Sequence, residues 1–488
     1  MSTATLYQQL ADDLSSAINL GTLPPGSRLP SVRKTASSRQ LSLNTVVAAY
    51  RVLEDRGLIE ARPQSGYYVR SRLPSPARGA SHRPGPARGT DGAVLDLIGA
   101  ALKAQQTPGY IDMALACPRG GDFYPSAKLA RLMGQVLRKQ PGLVGNYALP
   151  PGSERLRTQI ARRGLELGMA LQADNIILTH GAMEALQLAL RAITRPGDTV
   201  GIESPTYFNL LPLFNSLGLK AVEIPTDPQH GLALDALELL LQEKRLNAII
   251  AMPNVHNPLG CSMSTDNKRR LAALVNRHRV PLIEDALYAE LQFGDALQPA
   301  VKAFDQDGWV LVCASYTKTL APDFRVGWLE GGRFGEEIKK LKFASSIAEP
   351  LVLCETLGTF LESGGYDHHL RALKRRYALH VDKVRALIAE YFPPGTHATT
   401  PSGGFLIWVE LPEDYDTVAL FHAAIAERIS ISPGPLYSPS GRYRNALRLS
   451  CCQPLDERYV GALQRLGELA RGVRMPSSTQ VIDLINNI

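Results

Sequence analysis

The sequence predicts two units of different class: a small helix-turn-helix module closed by a β-hairpin, and a large α/β body with a mostly parallel sheet and a smaller α+β lobe. Three observations carry this. The whole net charge of +7 sits in residues 1–90, which hold 12 Lys or Arg against 5 Asp or Glu, while the remainder balances at 41 of each. Two short capped helical periods and a hairpin signal succeed one another before residue 70, and from residue 93 β-branched runs alternate with helical periods. With 488 residues, 45% of them apolar, the chain can bury more than one core, and collagen, coiled-coil and disordered classes are excluded. No apolar run approaches the roughly 18 to 20 residues that cross a bilayer. Residues 1–20 form an amphipathic pattern with Asp12 and Asp13, not a signal peptide, so a cytoplasmic protein is expected. Cys117, Cys261, Cys313, Cys354, Cys451 and Cys452 lack C-x-x-C spacing and are expected to be small buried apolar residues.

Taken in order, Leu6, Leu10, Leu14 and Ile18 recur every four residues and Gly21 follows, which predicts a helix with one buried stripe and a glycine stop. After the turn Leu23-Pro-Pro-Gly26, Ser31 can cap a helix to about Arg39. Ser42 can cap a second through about Arg56, with a tight turn at Gln40-Leu41 between them. Gly57 ends that helix. The apolar groups Leu58-Ile59 and Tyr67-Tyr68-Val69 flank Pro63-Gln64-Ser65-Gly66, a hairpin that would form a wing. Residues 71–92 are dense in Pro, Gly and Arg and poor in apolar residues, the composition of a flexible linker, so the first domain is expected to span 1–70.

The body is expected to span 93–475, with a large lobe at about 130–340 and a small lobe at about 341–475. Strands are predicted at residues 175–179, 199–203, 220–224, 248–252, 281–285, 309–315 and 325–330. Two more, at 405–410 and 447–450, belong to the smaller lobe. The tail 476–488 carries no pattern, and His368-His369 reads as a solvated turn rather than a metal site.

A basic module attached to a neutral body points to a polyanion partner. In a helix-turn-helix the N-terminal end of the second helix enters the major groove, so Ser42, Asn44 and Thr45 are the candidate base readers. Arg28, Arg33 and Lys34 would face phosphates or groove edges. Arg62, Gly66 and Arg70 of the wing can approach the DNA backbone. The string G-T-L-P-P-G-S-R-L-P-S-V-R from Gly21 to Arg33, then S-L-N-T-V-V-A-A-Y-R-V-L-E-D-R-G-L-I from Ser42 to Ile59, with S-G-Y-Y-V at Ser65 to Val69, resembles the GntR winged-helix family. Leu43 stands where many relatives carry Arg, which removes one guanine contact and leaves sequence preference to Arg33, Asn44 and DNA shape.

A second constellation lies in the body. Lys318 ends Ser315-Tyr-Thr317-Lys318 after a predicted strand, and Arg325 follows in R-V-G-W. Asp285 ends another strand with Tyr288 three residues on, Asn257-Pro258 follows a third, and Gly181-Ala182-Met183 opens a helix after a fourth. All lie at carboxyl ends of strands, where open α/β sheets bind ligands. Pyridoxal phosphate needs an amine for its Schiff base, a carboxylate at its pyridine nitrogen, donors to its phenolic oxygen and an anion cradle for its phosphate. Lys318 offers the first, Asp285 the second, and Tyr288 with Asn257 the third. The helix start at Gly181-Ala182-Met183, with Ser315 and Arg325, offers the fourth. Tyr207, in S-P-T-Y, can pack on the ring.

These residues resemble the fold type I aminotransferases of the aspartate aminotransferase superfamily, through N-x-x-N-P-x-G, D-x-x-Y, S-x-T-K and K-x-x-x-P-x-x-R-x-G-W. The resemblance implies that Tyr147, in N-Y-A-L-P-P-G, reaches the phosphate in a neighbouring subunit, and that Arg448, in L-R-L-S, binds an effector carboxylate. Leu259 departs from the N-P-T-G of many relatives. Fusion of the two modules resembles the MocR/GabR subfamily of GntR regulators. That resemblance implies a head-to-tail homodimer binding double-stranded operator DNA, whose effector is the cofactor or an amino compound forming an external aldimine with it. A working aminotransferase tethered to a DNA-binding domain is the competing reading.

Overall fold

The structure, a computed structural model, describes residues 5–19, 22–62, 65–70, 73, 76, 84, 86–118, 123–294 and 296–474. The expected stop at Gly21, the hairpin residues Pro63-Gln64, most of residues 71–85 and the tail 476–488 lie outside these.

The first unit contains α1 (Leu6–Asn19), α2 (Val32–Arg39), α3 (Leu43–Asp55), β1 (Ile59–Arg62) and β2 (Gly66–Val69). Ser31 and Ser42 cap as their positions predict, accepting from the backbone N–H of Lys34 and Thr45. Gln40 makes the turn between α2 and α3 at φ 53°. The antiparallel hairpin pairs Ile59 with Val69 and Arg62 with Gly66. Tyr50 anchors the small core: fully buried on α3, its hydroxyl donates to Pro30 O at 2.7 Å and lies 2.8 Å from Thr35 Oγ1. Leu10 and Ile18 are buried against α3 as expected. Leu6 is not. It is 60% exposed, because the first turn of α1 runs past the packed stripe.

The body begins with α4 (Gly92–Gln106), capped by Asp91, and β3 (Ile111–Asp112), followed by α5 (Ser126–Lys139) and α6 (Glu154–Gly164). Its main sheet uses β4 (Ile176–Thr179), β5 (Thr199–Ser204), β6 (Lys220–Asp227), β7 (Gly231–Leu232), β8 (Ala248–Ala251), β9 (Leu282–Asp285), β10 (Val310–Ser315) and β11 (Gly327–Glu330) in the order β4-β11-β10-β9-β8-β5-β6-β7. The pairs among β6, β5, β8, β9 and β10 are parallel; β11 runs antiparallel to both neighbours, and β7 antiparallel to β6. α7 (Gly181–Ile193), α8 (Leu210–Leu217), α9 (Leu234–Gln242) and α10 (Thr265–His278) cross over between strands.

Strand periodicity divides the core. Ile249, Ala251 and Leu282 point toward α9 and α10, while Ala248, Ile250 and Ile283 join the larger cluster on the other face. Ahead of α4, Arg88 exchanges both backbone hydrogen bonds with Ala221 of β6, at 3.1 and 2.8 Å.

The smaller lobe follows α11 (Gly335–Ser345) and α12 (Leu351–Glu362). It contains α13 (Gly365–Tyr391), β12 (His397–Ala398), β13 (Leu406–Glu410), α14 (Thr417–Ala426), β14 (Ile429–Ser430), β15 (Ser432–Pro433), β16 (Ala446–Ser450) and α15 (Glu457–Ala470). Its sheet has the order β12-β13-β16-β15, and β3 comes from far upstream to pair in parallel with β14. His368 and His369 are helical, in the first turns of α13, rather than in a solvated turn; His369 Nε2 lies 2.8 Å from Thr319 O. Among the described residues, no helix is long and apolar enough to cross a membrane.

Candidate functional site

The carboxyl ends of β4, β5, β8, β9 and β10 open onto one region, and the predicted body residues gather there. Asp285, the last residue of β9, is buried and its Oδ1 accepts from Leu287 N at 3.0 Å. Burial pushes its carboxyl up to about 7; Glu203 and Glu284 push the same way, while the Leu287 N–H and His256 oppose. Lys318 stands three residues beyond β10, between the buried Thr317 and Thr319. Burial lowers its ammonium pKa; Cys117 and Cys452 oppose, and the cations Arg448 and Arg325 add to the lowering. An amine held toward its neutral form is what nucleophilic attack requires.

Asn257, 2% exposed, accepts from Arg448 Nη1 through its Oδ1 at 3.2 Å. Tyr288 is 1% exposed, with its ring edge on Phe405 at 5.7 Å, and burial raises its phenol well above the ordinary value. Tyr207 is half-buried; its hydroxyl accepts from Asn209 Nδ2 at 2.8 Å, and burial pushes its phenol up to about 12.

The N-terminus of α7 forms a cradle. Gly181 sits at φ +76°, and a Cβ there would lie 2.6 Å from Arg325 Nη2, so the guanidinium lies directly over the helix start. Ala182 and Met183 supply the next N–H groups of that first turn. On the other side Gly327 lets β11 close on Gly181: a Cβ on Gly327 would come within 2.6 Å of the Gly181 carbonyl carbon. Ser315 is buried beside this junction, its Oγ accepting from Thr317 N at 3.3 Å.

Arg448 is far from a solvated strand end. It is 1% exposed within β16, donates to Asn257 Oδ1 and Ala114 O, and lies 5.4 Å from the Tyr437 ring. Its buried Nε has no hydrogen-bond partner among the described residues. Tyr147 stands apart from this cluster. It is 75% exposed, on a separate cavity of 530 Å³ that it shares with Val144, Ile347, Glu349 and His180, the residue before Gly181.

Four groups near the site had no role in the sequence reading. Glu203 and His256, both buried, meet at 3.2 Å; Leu259 N donates to His256 Nδ1 at 3.3 Å, which leaves Nε2–H facing the carboxylate. Tyr124 donates to Thr317 O at 3.4 Å and lies 3.9 Å from Cys117 Sγ. The first pair had a local signal, since His256 lies within N-x-x-N-P-x-G and Glu203 directly precedes S-P-T-Y. Tyr124 and Cys117 had none.

In the first unit, Ser42 caps α3 by accepting from Thr45 N at 3.1 Å, and the Thr45 hydroxyl is joined to that cap at 2.8 Å, so both side chains are engaged at the helix start. Asn44 is exposed beside Leu43, and Arg33 and Lys34 are exposed on the neighbouring helix. Arg28 lies against Gly66, where a Cβ would be 3.3 Å from its Nε. Arg62 is paired with Glu60 at 2.7 Å and stacked over Tyr68 at 4.5 Å, and Arg70 lies 3.8 Å from the same glutamate.

Residues 123–466 match the model of aminotransferase class I and II, and residues 6–69 match that of bacterial regulatory proteins of the gntR family. The chain belongs to the class I and II aminotransferase family, with a gntR-family domain at its N-terminus. The chain is 36% identical over 465 residues to the uncharacterized HTH-type transcriptional regulator YjiR of Escherichia coli K12, covering 95% of this chain and 98% of that protein. It is 28% identical over 380 residues to aromatic-amino-acid aminotransferase 1 of Thermococcus litoralis, covering 75% and 89%. Among solved structures, the multiple substrate aminotransferase of Thermococcus profundus superposes with a TM-score of 0.71 at 26% identity, over 77% of this chain and 94% of that one. The two modules therefore make a transcriptional regulator with an aminotransferase-like body.

Proposed function

We propose that this regulator binds pyridoxal phosphate at Lys318 and that its aminotransferase-like body senses the cofactor or an amino acid-like effector reacting with it. The observation that carries the reading is the coincidence of Lys318, Asp285, Asn257, Tyr288 and the Gly181–Arg325 cradle in one chain with a winged helix-turn-helix. The residues fit the cofactor: a phosphate needs the close approach that a Cβ at Gly181 would block, and the orphaned Arg448 Nε leaves donor capacity for a carboxylate. When bound, pyridoxal phosphate supplies an aldehyde that condenses with amines and a ring that withdraws electrons. Lys318 presents its Nζ for that condensation. Asp285 holds a proton at the ring nitrogen, Tyr288 and Asn257 orient the phenolic oxygen, and Tyr207 covers the ring. Arg325, Ser315, Thr317 and the first N–H groups of α7 fix the phosphate.

Arg448 selects effectors that carry a carboxylate as well as an amine. The reading places the chain with MocR/GabR-type regulators, acting in the cytoplasm as a head-to-tail homodimer on operator DNA. Supporting the dimer, Val144, Tyr147, Leu149 and Phe343 leave large apolar surface exposed, 77%, 75%, 57% and 60% respectively. Tyr147 would serve the partner's phosphate.

Asn44, with the exposed Arg33, reads bases, while Arg28, Lys34, Arg62 and the Gly66 turn face phosphates. A tethered aminotransferase is the second reading, favoured by the completeness of the lysine site and by the named aminotransferase relative. Titrating the purified protein with amino compounds distinguishes the two. A spectral change that alters DNA binding without keto acid release supports the sensor, and multiple turnovers with unchanged DNA binding support the enzyme.

A further inference from the structure

Helix α13 spans 27 residues, about 40 Å at 1.5 Å per residue, and touches both the lysine site and the winged helix. Near its start, His369 Nε2 lies 2.8 Å from the carbonyl of Thr319, the residue after Lys318. The Tyr366 hydroxyl donates to Glu290 at 2.6 Å, and its ring meets Tyr316, two residues before Lys318, at 5.8 Å. In mid-helix, Tyr377 lies 4.8 Å from Phe405, whose ring is 5.7 Å from Tyr288. The helix therefore rests on both flanks of Lys318 and, through one intervening ring, on Tyr288.

Its last turns form a seat for the DNA-binding unit. Gly57, at φ +67° after α3, comes so close that a Cβ there would lie 3.2 Å from Ala386 Cβ and 3.4 Å from Asp382 O. Arg385 Nη2 donates to Leu73 O at 3.2 Å just beyond the wing, and to Ala398 O at 3.3 Å in the body. Beside this contact a cavity of 630 Å³ lies between the wing residues Glu60, Arg62 and Arg70 and the helix residues Ala386, Ala389 and Glu390. From Tyr377 to Ala386 is nine residues of continuous helix, about 14 Å. A rigid element packed at both ends passes a shift at one end to the other, because close-packed contacts do not deform gradually.

We infer that α13 reports occupancy of the Lys318 site to the winged helix. A filled site fixes Thr319 and Tyr288, these fix α13 through His369 and Phe405, and the fixed helix tightens the seat of Gly57 on Ala386. This rests on the cofactor reading and adds the route by which it regulates. Linkage makes the effect reciprocal: loosening the seat weakens cofactor binding by the same factor.

The test is hydrogen exchange of the full-length protein with and without pyridoxal phosphate. The unmodified protein should show at least a fivefold slowing over residues 53–62 on addition of cofactor, together with protection over 315–320. Ala386→Gln, whose longer side chain meets Gly57, should keep the cofactor's visible absorption, lose the slowing at 53–62 to within twofold, and bind the cofactor more weakly by a matching factor. Lys383→Ala, on the exposed face, should respond as the unmodified protein does. Protection at 315–320 with none at 53–62, or a full response in Ala386→Gln, overturns the route. Absence of both visible absorption and protection at 315–320 overturns the cofactor reading itself.

Discussion

Replacing Asp285 by Asn separates what this carboxyl does for the empty protein from what it does for the cofactor. Its folded-state value of about 7 stands against an ordinary 3.8, so the fold favours the protonated form. Well below pH 3.8 the group is protonated in both folded and unfolded chains and costs nothing. As pH rises from 4 through 7 the unfolded chain ionises while the folded one resists, and stability is lost. At 1.36 kcal/mol per pKa unit the full cost reaches about 4 kcal/mol at pH 8, and it is about 2 kcal/mol at pH 5. Asp285→Asn removes this pH-dependent cost.

The cofactor-free variant should therefore be more stable than the parent at pH 8, with the gain shrinking by about 2 kcal/mol at pH 5. Urea unfolding followed by tryptophan fluorescence measures this in the body alone, since the chain's three tryptophans, Trp309, Trp328 and Trp408, all lie there. With cofactor the sign reverses, because Asn cannot hold the ring nitrogen's proton as an ion pair; retention should fall at least tenfold. A stability difference between the two proteins that is flat from pH 5 to pH 8 would refute the buried-carboxyl argument, and undiminished retention would detach Asp285 from the ring nitrogen.

Lys318→Ala should abolish borohydride-trappable cofactor, measured by mass spectrometry of the intact chain; trapping at the parental level would place the linkage elsewhere. Arg448→Ala should keep the visible absorption of the cofactor while losing the spectral response to amino acids, and an unaltered titration would remove it from carboxylate binding. Asn44→Ala should relax discrimination among operator variants by about 1 to 3 kcal/mol, whereas Arg62→Ala should weaken all duplexes alike and lower the salt slope, both read by fluorescence anisotropy. Tyr50→Phe should destabilise the first unit by about 1 kcal/mol, seen as a lower midpoint in its far-ultraviolet circular dichroism melt.

Much of this architecture is written locally. Ser31 and Ser42 announce helix starts because a cap acts within three residues, and the large-sheet strands are legible because parallel strands buried on both faces must be continuously apolar. The lysine site follows from motifs that each end a strand. What was not legible is non-local. Two-residue β3 has no period to detect and exists because β14, more than 300 residues away, accepts it. Arg448 was legible only through the L-R-L-S resemblance; its burial depends on the facing Asn257 and the Ala114 carbonyl, which come from distant parts of the chain. The helical state of His368-His369 is fixed by packing on Thr319, and Leu6 obeys the four-residue period while lying beyond the partner that would bury it.

The backbone bridge between Arg88 and Ala221 also sets a leash. Between Arg70, held by the Leu58 carbonyl, and Arg88 lie the 17 residues 71–87, of which Leu73 is held by Arg385 while the unit is seated. Fully drawn out, the 18 Cα steps from Arg70 to Arg88 reach about 60 Å. A DNA-binding unit lifted from its seat thus remains at a high effective concentration near the body, and its search is confined to roughly two turns of duplex on either side of a stake driven into β6.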